Sequence, residues 1–317
     1  MPRSKRAEKT GVTIETPASF RFRTTLLSHG WIQLAPFRHD EAFTELRRVE
    51  QLSGGRIVEL AFTAGPDESL NVAVEGLSCD PTEEERRQIR AAARRIFNLD
   101  VDLERFYAAI GDAERYRWVH QHGGGRLLRA PTVWEDVAKT LLTTNTTWRM
   151  TRRMVERLTE LGEQGTSGHT FPSPERVAAL SFDRLAEQVG AGYRNAYLHA
   201  LAEDIAGGRI DVESWNDADL PSAELFQRLR ALRGFGPYAA GAVLKLLGHY
   251  DYLALDSAAR STFASAFNGG ERASDKHIER HYAPYGEWRG LVIWMDVMRD
   301  WFLDNYPGNS GVGILDS

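Results

Sequence analysis

Leu232-Arg-Gly-Phe-Gly-Pro-Tyr-Ala-Ala-Gly241, followed by Leu255-Asp256-Ser-Ala-Ala-Arg260, is the stretch that decides the fold. Leu229 and Leu232 share one face of a short helix expected to end at Gly234. Gly234 and Gly236 allow the positive φ angles of a tight turn. Pro237 suits the first position of a new helix. Ala239, Ala240, Val243, Leu244 and Leu247 then recur at helical spacing. The pattern is helix, glycine turn, helix. Such a turn presents backbone N–H groups at a helix N-terminus to a phosphate oxygen. A plain αα-hairpin with a glycine C-cap carries the same local pattern. Asp256, 20 residues after Gly236, follows an apolar run and opens a further helical segment. An aspartate there is a good N-cap, and a cap carboxylate stays ionised. That suits an anion facing a sugar that develops positive charge.

The composition is that of a globular chain. It has 317 residues, 42% hydrophobic and 26% charged, enough for two cores. The lone cysteine, Cys79, cannot form an internal disulfide and fits a reducing, intracellular compartment (cytoplasm or nucleoid). No apolar run approaches the roughly 20 residues of a membrane span. The first ten residues lack the apolar stretch of a signal peptide and read as a basic tail. The histidines show no metal-ligand spacing. A net charge of −5 argues against a non-specific DNA coat, but phosphate contact depends on local basic surface. Arg149, Arg152, Arg153 and Arg157 lie along one expected helix, and Arg228, Arg230 and Arg233 precede the hairpin. Solvated helix faces are the alternative for each of them.

Gly234, Gly236, Ala240 and Asp256 together resemble the helix-hairpin-helix plus Gly/Pro-Asp signature of the base-excision DNA glycosylase superfamily. Other segments extend the resemblance over residues 120–305. Thr143-Thr-Asn-Thr-Thr-Trp148 resembles the segment in which 8-oxoguanine glycosylases place an asparagine in the gap left by the extruded base; Asn145 matches it. Gly190-Ala-Gly-Tyr-Arg-Asn-Ala-Tyr197 resembles their duplex-wedging element, with Tyr193 and Arg194 at the matching positions. Trp288-Arg-Gly-Leu-Val-Ile-Trp294 resembles the helix that walls the base pocket. The resemblance implies a DNA-contacting set of Gly234, Gly236, Tyr193, Arg194, Asn145 and Arg149, a base pocket of Tyr238, Trp294 and Trp148, and Asp256 as the catalytic carboxylate. It implies no cofactor or metal, apart from a monovalent cation at the hairpin. The implied partner is duplex DNA with a damaged base, bound by a monomer away from membranes.

The departures from the family pattern bear on chemistry. Bifunctional members carry a Schiff-base lysine two residues after the second hairpin glycine, where this chain has Tyr238. Lys245 lies two helical turns on and is expected outside the pocket. Gly290 stands where 8-oxoguanine enzymes carry a base-reading glutamine, and Trp294 where they carry phenylalanine. Cys79 alone cannot supply the four-cysteine iron–sulfur loop of some glycosylases. These features resemble the alkylpurine (3-methyladenine) glycosylases, so the implied activity is monofunctional, water-dependent excision of an alkylated purine stacked on aromatic walls. A bifunctional glycosylase/lyase for oxidised bases and a non-catalytic hairpin DNA-binding protein remain open.

The expected class is α+β: an N-terminal antiparallel sheet domain with helices, then a mostly helical glycosylase core. The expected divisions are a disordered basic tail (1–18), the sheet domain (19–122), the helical domain (123–305) and a C-terminal tail (306–317). Alternation predicts strands at 19–24, 31–34, 56–62 and 70–74, with a helix near 40–49. Asp80-Pro81-Thr-Glu83 predicts a capped helix start, and Gly123-Gly-Gly125 a flexible break.

Overall fold

Alternating apolar residues along residues 57–75 build the sheet, which anchors the N-terminal half. A computed structural model describes residues 10–77, 79–216 and 220–306. Strands β1 (Thr10–Ile14), β2 (Arg38–His39), β3 (Glu45–Gln51), β4 (Ile57–Ala64) and β5 (Leu70–Glu75) form one antiparallel sheet in the order β1-β5-β4-β3-β2. Leu70, Val72 and Val74 point inward at alternate positions of β5, as a half-buried strand requires.

Four sequence expectations fail in this half. The expected tail contains β1, paired with β5 from Thr10↔Val74 to Ile14↔Leu70. Residues 19–24 lead into a short helix, α1 (Phe22–Leu26), buried over most of its surface. Residues 31–34 fall in and just after a 3-10 turn, Gly30–Gln33. Residues 40–49, expected as a helix, turn at 40–44 and enter β3 at Glu45, where the core takes in Arg48 as well as Leu46 and Val49. Residues 1–9 and 307–317, the outer parts of the expected tails, lie outside the described residues.

Helix α2 (Glu83–Ile96) packs on the sheet side. Its N-cap is Thr82 and not Asp80: the Thr82 hydroxyl accepts from Glu85 N–H while Glu85 accepts from Thr82 N–H. Helices α3 (Glu104–Ile110) and α4 (Arg117–His122) lead to α5 (Val133–Thr143) and α6 (Trp148–Thr159). Then come α7 (Pro174–Ala178), α8 (Phe182–Val189), α9 (Arg194–Ala206), α10 (Ser222–Ala231), α11 (Pro237–Leu246), α12 (Ser257–Phe267), α13 (Asp275–Tyr282) and α14 (Arg289–Asn305). Among the described residues no helix is long and apolar enough to cross a membrane.

Two cores form, but they do not divide at Gly123. One joins the sheet to α5 through α11. The other joins Leu103, Phe106, Trp118 and Leu127 to the C-terminal helices through Phe263, Leu291 and Phe302. Residues 124–130 are buried, and a Cβ on Gly125 would meet the Phe106 ring at 2.7 Å. The glycine run is therefore a close-packed crossing and not a flexible linker.

Candidate active site

The hairpin forms as its sequence suggests, with one change. Gly234 has φ +87 and nestles where a Cβ would strike Tyr197 and Leu141, so glycine is needed there twice over. Gly236 has φ −79, an angle open to any residue, and caps α11 through backbone geometry. No side chain caps α11, leaving its first N–H groups without side-chain partners. Arg230 steadies the turn by donating to the Phe235 carbonyl at 3.1 Å.

Across the turn, α9 brings Tyr193 and α5 brings Asn145. Tyr193 is 52% exposed, its ring lies 5.7 Å from Tyr197, and Asn145 Nδ2 donates to its hydroxyl at 3.4 Å. Asn145 holds φ +46, an uncommon angle outside glycine. Arg149 is exposed on α6, as are Arg152 and Arg153, and none of the three forms an ion pair among the described residues. Arg194 departs from expectation. Its guanidinium is buried and donates to the carbonyls of Thr144 and Asn145, the latter at 2.8 Å. It cannot reach a DNA strand from there; it holds the Asn145 loop in its left-handed turn.

Behind this surface opens a cleft of about 430 Å3 that gathers Asp256, Tyr238, Trp148 and Trp294. That volume lies within the range of small-ligand sites. Asp256 caps α12, accepting the Ala259 N–H at 2.7 Å through Oδ1. Ala254, two residues earlier, is held at φ +50, where α11 comes so close that a Cβ on Gly241 would crowd it at 3.1 Å. A left-handed alanine is strained backbone, and it sets where Asp256 emerges. Burial and the Asp256 charge push the Tyr238 hydroxyl up to about 12, so it stays protonated.

The far wall comes from the N-terminal half. Three indole N–H groups fix the segment around residues 28–33: Trp31 to Asp136 at 2.7 Å, Trp148 to Gln33 at 2.7 Å, and Trp294 to the Ser28 carbonyl at 2.9 Å. Gly30 has no Cβ to block the Trp148 ring. This places His29 on the cleft floor, 5.3 Å from the Trp294 ring. Burial, aided by the Lys245 and Lys139 charges, pulls His29 down to about 3, so it is neutral.

Lys245 overturns its expected position. It lies seven residues after Tyr238 on the same face of α11, lines the cleft and is 4% exposed. Its Nζ rests 3.8 Å from the centre of the Trp294 ring and makes no hydrogen bond or ion pair among the described residues. Burial pulls the ammonium down to about 7, against the opposing pull of Asp256. The Trp294 face further favours the charged form. The i, i+7 spacing from Tyr238 was the sequence signal for this placement; nothing local pointed to His29. Gly290, by contrast, is not part of the cleft. A side chain there would collide with the Tyr252 and Tyr250 carbonyls, and Gly290 N–H donates to Tyr250 at 2.6 Å. The cleft-facing residues of α14 are Ile293, Trp294, Val297, Met298 and Trp301.

Among the described residues no group of three or more His, Cys, Asp or Glu side chains could hold a metal ion. No family model matches the chain. A curated relative from Methanothermobacter thermautotrophicus, a probable N-glycosylase/DNA lyase, is 26% identical over 186 residues; the match covers 50% of this chain and 57% of that protein. Solved structures align over nearly the whole fold. MBOgg1 in complex with a low-affinity DNA ligand gives a TM-score of 0.70 at 17% identity, covering 93% of this chain and 97% of that one. The 3-methyladenine DNA glycosylase of Archaeoglobus fulgidus gives 0.70 at 16%, covering 92% and 99%. The 8-oxoguanine glycosylase/lyase of Clostridium acetobutylicum gives 0.68 at 17%, covering 92% and 97%. The fold is the one shared by these solved DNA glycosylases, the 3-methyladenine and the 8-oxoguanine enzymes alike.

Proposed function

We propose that this chain is a DNA N-glycosylase that turns a damaged base out of the duplex and hydrolyses its glycosidic bond. The observation that carries the reading is Asp256. It stands at a fixed distance behind the hairpin, on the wall of a tryptophan-lined cleft, with one carboxylate oxygen anchored to a helix N-terminus. The other oxygen is left for the reacting sugar.

Each part of the surface has a role in this scheme. The open N–H groups of α11 donate to a phosphate, and Tyr193 and Asn145 fill the space the base leaves. Extruding a base costs a few kcal/mol, and less for a damaged one. Cleavage gives the sugar oxocarbenium character, which the Asp256 carboxylate stabilises while orienting a water for attack. Tyr238, protonated and without an amine, cannot form a Schiff base. That substitution supports hydrolysis by water. A duplex panel with alkylated, oxidised and deaminated bases, scored for free base release, tests the reading; no release from any of them removes it.

Tyr193 offers a separable check. Because it is exposed, Tyr193→Ala leaves the melting temperature unchanged. Loss of a base-stacking ring costs roughly 1–3 kcal/mol, so base release should fall about tenfold or more. A variant with undiminished release contradicts the wedge role.

Lys245 favours a second reading, in which an amine in the cleft attacks the sugar and gives lyase chemistry. Borohydride trapping separates the two. We expect no covalent protein–DNA adduct with the wild-type protein; an adduct mapped to Lys245 establishes the lyase reading instead.

A further inference from the structure

The cleft floor holds three polar groups that make no hydrogen bond among the described residues. His29 Nδ1 and Thr140 Oγ1 are buried and make no hydrogen bond, and the Lys245 amine makes none among the described residues. All three line the same cleft. Buried polar groups are normally satisfied, and each exception calls for an explanation. Two such exceptions, beside an amine held only by the face of Trp294, share one aromatic floor and one explanation: the partner is a ligand that enters the cleft.

We propose that Lys245, His29 and Thr140 form a floor that reads the edge of an uncharged nucleobase bearing a carbonyl oxygen, the chemistry of an oxidised or deaminated base. This rests on the glycosylase reading and names its substrate class. In the ammonium form that the Asp256 charge and the Trp294 face favour, Lys245 has three donors and no acceptor, so the edge it meets must present an acceptor. Neutral imidazole and hydroxyl each donate or accept, so they adapt to the remainder of the edge. Lys245 also lies on the face of Trp294 where a cationic alkylpurine would stack. A second positive charge there meets a like charge in a desolvated site. The aromatic walls alone suit an alkylated purine; Lys245 reverses that preference. An uncharged base is also a poorer leaving group than a cationic one, and a lysine donor at its carbonyl stabilises the negative charge that forms as the bond breaks.

The test uses four duplexes, each with one hypoxanthine, uracil, 8-oxoguanine or 7-methylguanine, and a fifth with a tetrahydrofuran abasic analogue that has no base to read. Wild-type protein should release at least one of the three uncharged lesions at least about tenfold faster than the cationic 7-methylguanine. Lys245→Met, which keeps the volume and removes the donor, should slow that release at least about 100-fold, because a site built to hydrogen-bond its substrate loses most when the bond is gone. Its affinity for the abasic duplex should be unchanged, and its 7-methylguanine release equal or faster. Thr140→Val should give a smaller loss with the same lesion selectivity, which guards against a folding defect in the first variant. Release confined to 7-methylguanine, or equal losses on every lesion together with lost abasic affinity, overturns the inference and leaves the glycosylase reading standing. A borohydride adduct on Lys245 overturns it as well. No release from any duplex removes both.

Discussion

Asp256→Asn is expected to give a folded protein that binds duplex DNA and releases no base. Asparagine is as good an N-cap as aspartate, so its Oδ1 retains the Ala259 N–H bond now made at 2.7 Å. The melting temperature should stay within about a degree or two of wild type. What the substitution removes is the charge. A single preorganised group facing developing charge is worth about 10^2–10^3 in rate, and a full carboxylate against an oxocarbenium ion should reach the upper end or pass it. Asp256→Ala separates the two roles. It loses charge and cap together, so it should be equally inactive and also less stable by about 1 kcal/mol. Single-turnover base release, a thermal melt and a duplex titration on both variants make the comparison. Turnover by the Asp256→Asn variant above a tenth of the wild-type rate would show that Asp256 serves the helix and not the chemistry.

The parts of this site that the sequence revealed are those fixed by local rules. Gly234, Pro237 and the Asp256 cap each answer to backbone geometry within a few residues, and all three lie where the spacing predicts. The parts it hid depend on contacts between distant segments. Lys245 sits on an apolar helix face, where a lysine is expected to extend its amine to solvent; only the cleft between α11, α14 and residues 28–33 lets it stay buried. Arg194 follows an exposed tyrosine, yet it turns inward because the carbonyls of Thr144 and Asn145, some 50 residues away, need donors. Residues 40–49 mislead for the same reason. Phe43, Leu46 and Val49 repeat every three residues, a helical spacing. The structure instead buries Arg48 beside Leu46 and Val49 as part of a strand. A buried arginine is invisible to hydrophobic patterning because its partner lies on another element.

That partner is Glu135, and replacing it should be strongly destabilising. Glu135 Oε2 lies 2.9 Å from Arg48 Nη2, and Oε1 lies 2.6 Å from Lys139 Nζ, with all three side chains at most 1% exposed. Burial raises the Glu135 carboxyl, but the Arg48 and Lys139 charges outweigh it and hold the group below the usual carboxylate range. Its contribution to stability is therefore complete above the ordinary glutamate pKa and is lost as pH falls through the lowered folded value. Glu135→Ala leaves two cations in the core, with Glu50 on the Arg48 side and, near Lys139, only Asp136, which already pairs with Arg95. Breaking a buried pair in this way costs about 3–5 kcal/mol, a large share of the stability of most domains. The consequence reaches the cleft, since α5 carries Glu135 in its first turn, Lys139 midway, and Thr140 and Thr143 on the cleft side. Chemical denaturation should show a lowered midpoint for Glu135→Ala. A triple replacement of Arg48, Glu135 and Lys139 by apolar residues of similar volume should recover most of the loss, because it removes the unpaired charges together with the pair. If the single variant unfolds at the wild-type midpoint, the cluster does not hold the sheet to α5, and the placement of the cleft floor must come from the tryptophan bonds of residues 28–33 alone.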